Sequence, residues 1–149
     1  VKEFSSFGDF AKHLEALAGG VPAVELFVLQ RIGVLVKERA KEKIGDYQTK
    51  AGPFAAWAPL GAATKADRLR KGYSEDDPLL RSGEVRESID YVTLSPEVVI
   101  GSPLDIALWL EIGTEKMPPR SFLGASAFEL TPELLAMAGT KLENYLGAA

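Results

Sequence analysis

A chain of 149 residues with 46% hydrophobic and 26% charged side chains has the composition of one ordinary folded domain, long enough to bury a core without covalent staples. Its formal net charge of -4 argues against a basic phosphate-binding surface, and so against sequence-specific recognition of nucleic acid. Cysteine is absent, which excludes disulfides, thiolate nucleophiles and sulfur-ligated zinc.

Ser6 followed by Asp9 resembles a capping box, and Phe7, Phe10, Leu14 and Leu17 recur at spacings of three and four, which predicts a short amphipathic helix. Gly19 and Gly20 are expected to end it, with Pro22 opening a second helix that runs to about Ile44. From Val24 to Val36 that helix is apolar nearly all round, interrupted by Glu25, Gln30 and Arg31. Such a helix wants burial on more than one side. In a domain this small, one side is expected on the home sheet and another on a neighbouring subunit; the plainer alternative is a core helix wrapped by its own domain. Lys37 to Lys43 turns basic and suits a solvated C-terminal end. The apolar run Val21 to Val36 reads as too short for a bilayer, which needs about 20 residues. Glu3, Asp9 and Glu15 interrupt the start, where a signal peptide needs an unbroken apolar centre. Neither membrane insertion nor export is expected.

Residues 45 to 80 show no sustained period and are punctuated by Gly52, Pro53, Pro59, Gly61 and Gly72. A stretch of this length reads as a functional loop or arm. It carries Phe54, Trp57 and Leu60, which are costly to leave in water, so it either docks on a partner or folds back over its own core. The basic run Lys65, Arg68, Arg70 and Lys71 and the acidic run Glu75, Asp76 and Asp77 read as solvated charge. The acidic run lacks the glycine and glutamate offsets of an EF-hand calcium loop.

Val85 to Leu94 is β-friendly, with Ile89, Tyr91 and Thr93 on one face and Val92 and Leu94 on the other. Ser95, Pro96 and Glu97 make a turn and Val98 to Ile100 return, which predicts a hairpin. Ser102 is expected to cap a short helix with Pro103 at its first position, closed by Gly113. Ser121 to Ser126 is a candidate further strand, and Thr131 and Pro132 are expected to open a last helix with Leu135, Ala138, Leu142 and Tyr145 as its stripe.

Catalytic signals are missing. A single histidine, His13, sits on the polar side of the first helix and reads as a surface residue. The phosphate-cradling, dinucleotide and nucleophile-elbow glycine patterns are absent. Asp105 and Glu111 are the carboxylates a hydrolase would have to use, yet no second group is placed beside them by the sequence. No catalytic residue, cofactor or metal site is assigned.

The run Pro78 to Ile89, PLLRSGEVRESI, resembles the signature of phage tail-completion and virion-morphogenesis proteins. Three further blocks follow in the family's order. Val99 to Ser102 is similar to its second strand and exit, Ile106 to Thr114 to its alanine–glutamate–glycine–threonine helix, and Met117 to Leu123 to its methionine–proline–arginine–phenylalanine–leucine segment. Upstream, Trp57 to Leu60 followed by Thr64 and Lys65 resembles a segment of one branch, so the likeness covers roughly residues 57 to 124. Val85 stands where leucine is usual, Ile106 where tyrosine precedes the alanine, and Ser121 where proline is common.

The resemblance implies an α+β fold in which a long N-terminal helix packs on a small antiparallel sheet, with a short helix between strands and a C-terminal helix. It implies one tail-completion-like domain over residues 1–149 with a long loop or arm at about 45–80. The implied role is structural: a homo-oligomeric ring, hexameric in related tail terminators, at the head–tail junction of a virion assembled in the bacterial cytoplasm. Its implied partners are the tail tube protein and the head connector or stopper, with genomic DNA passing through the lumen without specific binding. Phe54, Trp57, Leu60, Arg86, Glu111, Thr114, Met117 and Arg120 are the candidate interface residues, with Glu111 and Arg120 near enough in sequence to pair within a subunit or across the ring. The alternative function is a small protein-binding or regulatory module that grips its partner with the Phe54 to Leu60 arm.

Overall fold

The computed structural model of the chain describes residues 2–148. Ser6 caps the first helix as its spacing predicts: its hydroxyl accepts from the Asp9 amide at 3.1 Å. This helix, α1 (Phe7–Lys43), then continues for 37 residues, about 55 Å, through Gly19, Gly20 and Pro22. The expected break is therefore corrected to one continuous helix. A tertiary contact explains it. The C-terminal helix, α5 (Leu123–Ala148), crosses α1 at this turn, where the Tyr145 hydroxyl donates to the Leu17 carbonyl at 2.6 Å. A Cβ at Gly20 would collide with the Tyr145 ring, so this glycine admits a neighbour rather than ending a helix.

The two long helices run antiparallel. Lys43, buried at the C-terminal end of α1, meets Glu129 at 2.9 Å; Lys141 lies over the Phe27 ring at 4.2 Å; Tyr145 reaches Leu17. The expected start of α5 at Thr131 is also corrected, because the helix begins at Leu123 and Pro132 lies inside it. Thr131 Oγ1 donates to the Ala127 carbonyl at 2.8 Å in the turn where Pro132 brings no N–H. Ser121 to Ser126 forms no strand: its second half is the first turn of α5.

The hairpin forms as predicted but starts later. Glu84–Ser88 is a helical turn, α3, opened by Gly83 at φ 86°, and β1 (Asp90–Leu94) pairs with β2 (Glu97–Gly101) from Asp90↔Gly101 to Leu94↔Glu97. Val85 and Ile89 lie four apart and both bury, which a helical turn allows and a strand of alternating faces does not. Along β1 the alternation holds: Tyr91 and Thr93 face inward while Val92 and Leu94 are exposed. The hairpin lies along the middle of α1, where Gly33 receives the Tyr91 ring, Lys37 meets Asp90 at 3.5 Å, and Ser95 bonds Glu25.

Ser102 does not cap the next helix directly. Its hydroxyl pairs with Ser88 Oγ at 2.7 Å and accepts from the Leu104 amide, and α4 (Asp105–Ile112) begins after Leu104, closed by Gly113 at φ 78°. The stretch 45 to 80, expected to lack regular structure, contains α2 (Ala62–Arg70). One core cluster joins α1, α3, α4 and the segments between them: Ala40, Ile44, Trp57, Leu79, Val85, Ile89, Ala107 and Phe122.

Much apolar surface lies outside that core. Phe7 is 83% exposed, and Phe10, Leu14, Val21, Leu26 and Phe27 continue the exposed strip along α1. The accessible surface is 9489 Å² for 16.1 kDa, against roughly 7,400 Å² for a compact monomer of that mass. Because α1 is unbroken, it is by length and composition able to cross a membrane, which corrects the expectation from the shorter run. His13 is half-buried beside the Phe4 ring at 4.9 Å rather than free on the surface.

Two glycines of α1 are expected to respond oppositely to alanine. Gly33→Ala drives a methyl into Tyr91 and should destabilise by about 1–3 kcal/mol. Gly19→Ala meets nothing within 4 Å and should stabilise the helix by up to about 1 kcal/mol. Urea denaturation of both variants checks the pair; equal effects would contradict this account of the glycines.

Candidate functional site

Trp57, Glu111, Arg120 and Ser121 meet where α4, α5 and the loop after α1 come together. α5 starts with backbone N–H groups that have no partner within the helix. Glu111, on the last turn of α4, supplies one. Its carboxylate accepts from the amides of Phe122 at 2.8 Å, Leu123 at 3.0 Å and Gly124 at 2.9 Å, and from Ser121 Oγ at 2.5 Å. A negative charge at the positive end of the helix dipole adds to these bonds. Ser121 Oγ in turn accepts from the Ala125 amide at 3.1 Å. Glu111 thus caps a helix that starts twelve residues downstream.

Arg120 does not pair with Glu111. Its Nε and Nη2 donate to the Ala58 carbonyl at 3.0 and 2.7 Å, and Nη2 also reaches the Pro59 carbonyl at 3.1 Å. Trp57 Nε1 donates to the Ser121 carbonyl at 3.1 Å, so the 57–60 segment and the start of α5 are laced from both sides. Trp57 is only 5% exposed: the aromatic loop folds back over its own core and presents no tryptophan to a partner. Phe54, half-buried, stands edge-on to Phe128 at 6.4 Å and against Gly124.

The loop is held at its far end by Tyr47. The Tyr47 hydroxyl donates to Asp76 Oδ1 at 2.6 Å and accepts from the Leu60 amide at 2.9 Å, while Lys65 meets Asp76 Oδ2 at 2.8 Å. The hydrogen bond from Lys65, then that from Tyr47, holds the Asp76 carboxyl below its ordinary range, and the bond to Asp76 raises Lys65. The charge runs expected to be solvated are therefore partly structural, above all at Arg68, which is buried.

Of the eight candidate interface residues, Leu60, Met117 and Arg120 line one cleft of about 550 Å³ together with Arg68. Thr114 is exposed and closes a tight turn with Met117, its amide donating to the Met117 carbonyl at 2.8 Å. Arg86 is half-buried on α3, 3.7 Å from Glu87, and belongs to neither the cap nor the cleft. Tyr47 and Arg68 went unnoticed in the sequence, since a lone tyrosine and one arginine within a basic run carry no signal of burial. No family model, curated protein or solved structure matches the chain.

Removing the Glu111 cap strands three amides and a hydroxyl at once. Glu111→Gln, which keeps one acceptor geometry but loses the charge, should cost about 2 kcal/mol, and Glu111→Ala more. Trp57 fluorescence during urea denaturation reads the loss; an unchanged midpoint for both variants contradicts the cap.

The Tyr47 latch gives a pH signature. Asp76 is depressed, so its contribution is present above the ordinary aspartate value near 3.9 and is lost as pH falls through the lower folded value. Lys65 is raised, so its contribution is present below the ordinary lysine value near 10.4 and is lost as pH rises through the higher folded value. Asp76→Asn should flatten the acid limb of thermal stability below about pH 4, with Tyr47→Phe flattening it less. Identical acid limbs in wild type and both variants contradict this assignment.

Proposed function

We propose that this chain is a ring-forming virion assembly protein, a tail-completion or head–tail joining subunit that completes the tail and meets the head connector. Two things support the reading. One is the four ordered sequence blocks. The other, which carries it, is the apolar surface an isolated protomer leaves in water on α1 and α5 and on the outer face of the hairpin.

The excess of about 2,000 Å² over a compact monomer has the size of a stable protein interface. Phe10, Leu14 and Leu26 on α1, Leu135 and Leu142 on α5, and Val92 and Val99 on the hairpin supply exposed apolar side chains to it. Head-to-tail contacts between copies cover such separated patches when the rotation closes, and a ring results. A two-stranded sheet is marginal alone, and its open edges and exposed Val92, Leu94 and Val99 suit pairing with a neighbour. The chain's net negative charge suits a lumen along which DNA slides without being held.

A lipid-facing α1 is the competing reading, favoured by its length and apolarity. Against it, Glu25 is bonded to Ser95 of the hairpin turn, and Arg31 lies inside the apolar stretch.

Mass photometry and sedimentation at micromolar protein, with and without tail tube protein, test the proposal. A closed multimer is the expected result. Leu14→Glu with Leu26→Glu should return folded monomers with wild-type circular dichroism. A wild-type monomer that floats with phosphatidylcholine vesicles and ignores tail tube protein would overturn the ring.

A further inference from the structure

Arg68 and Arg120 are 6% and 4% exposed, and among the described residues neither meets a carboxylate within salt-bridge distance. A buried cation without a counter-charge is costly, so such groups are ordinarily paired. These two are held by backbone carbonyls instead, Arg68 also feeling the charge of Asp76 from beyond bonding distance. Arg68 Nη1 donates to the carbonyls of Asp77 at 2.7 Å, Leu80 at 2.9 Å and Ser74 at 3.5 Å, while Arg120 uses Nε and Nη2 on Ala58 and Pro59.

A guanidinium has five N–H donors on three nitrogens. Nε and Nη2 of Arg68 and Nη1 of Arg120 have no protein partner. No buried side-chain nitrogen or oxygen among the described residues is left unsatisfied, so these three nitrogens reach solvent. The space both side chains line is the cleft of about 550 Å³. Burial, opposed by Tyr47 and reinforced by the nearby charge of Arg68, lowers the Arg120 pKa, as expected of two cations sharing a partly desolvated site.

The acids at this cleft are not counter-ions to the pair. Asp67 is taken by Arg70 at 2.5 Å and Lys71 at 2.9 Å, and Glu84 is exposed at the rim. Arg81, at the rim, pairs with Asp67 at 3.8 Å and stands over the Tyr73 ring at 4.9 Å. Around the charges the walls are apolar: Leu60, Leu79, Val85, Ile106, Leu110 and Met117. The apolar surface does not stop at the rim. From Ile106 it continues along α4 to the exposed Trp109 and Ile112, the latter 64% exposed.

We propose that this cleft docks a short segment of a partner protein in which a glutamate or aspartate is flanked by apolar residues. The carboxylate sits between the free donors of Arg68 and Arg120, and its apolar neighbours cover Leu60, Met117 and the α4 strip. Charge complementarity selects the acid. The strip beyond the rim selects a polypeptide, since a small carboxylate filling the cleft leaves Trp109 and Ile112 in water. The site stands whether or not copies of the chain close into a ring.

The test uses the folded full chain, fluorescently labelled, on an array of end-capped decapeptides of randomised composition. Peptides with an acid between apolar residues should be enriched about tenfold or more among those bound, and replacing that acid by its amide should weaken each by at least about tenfold. Thr64→Glu places a competing carboxylate in the cleft wall, at the first turn of α2 where an acid suits the helix, and should abolish the enrichment. Ser82→Glu does the same from the other wall. Three results overturn the proposal: no preference for acids, a preference that survives in both variants with wild-type melting, or hexanoate binding as tightly as the best peptide.

Discussion

The capping of α5 by Glu111 is the interaction on which the rest of the molecule depends. A 26-residue helix starting at a part-buried corner presents several donors with no partner inside the helix, and a single carboxylate meets three backbone amides there together with a hydroxyl. The position of α5 then sets α1, because Glu129, Lys141 and Tyr145 contact α1 at successive points along its length. The same corner sets the loop, since Trp57 bonds the carbonyl of Ser121 and Arg120 bonds those of Ala58 and Pro59. Loss of the cap is therefore felt in three elements at once, through contacts of different kinds.

Rigidity at that corner contrasts with the opposite end of the long helices. There α1 and α5 touch mainly each other, through Tyr145 on Leu17 and Lys141 over Phe27, and their outer faces are apolar and exposed. Two helices in contact along one seam cannot cover stripes that extend around their circumference. The core cluster begins only at Ala40, so the first half of α1 is supported mainly by α5 and the hairpin, with Phe4 packed on Phe10 and His13 at its start.

The legibility of the sequence followed the range of the physics involved. The Ser6 cap, the hairpin alternation at Tyr91 to Leu94 and the stop at Gly113 depend on neighbours a few residues apart, and each was readable. Gly19, Gly20 and Pro22 misled because their purpose is tertiary: Gly20 makes room for Tyr145, a residue 125 positions away in a helix whose own start was misplaced. That start was hidden for the same reason, since the acid that caps it belongs to α4 and not to the preceding loop. The fold class survived these errors because it depends on which elements exist rather than where they begin. In the candidate site, Leu60, Met117 and Arg120 were named as interface residues and share a cleft, but Arg68, which completes it, was indistinguishable from its basic neighbours.

Residues that bond at the corner and residues that lie apolar and exposed constrain the sequence in different ways, even where one block holds both, as Glu111 and Ile112 do on α4. Glu111, Trp57 and Ser121 each have donors and acceptors matched within the chain, so an exchange strands a polar group at a part-buried corner. The faces of α1 and α5 ask only for apolar character at helical spacing, which many side chains satisfy, and their detailed shape is set by whatever packs on them. A motif defined by buried hydrogen bonds is therefore compatible with many association surfaces. The bonds of Glu111, Trp57 and Ser121 thus fix the corner residue by residue, while the outer faces of the long helices are specified only in their apolar character.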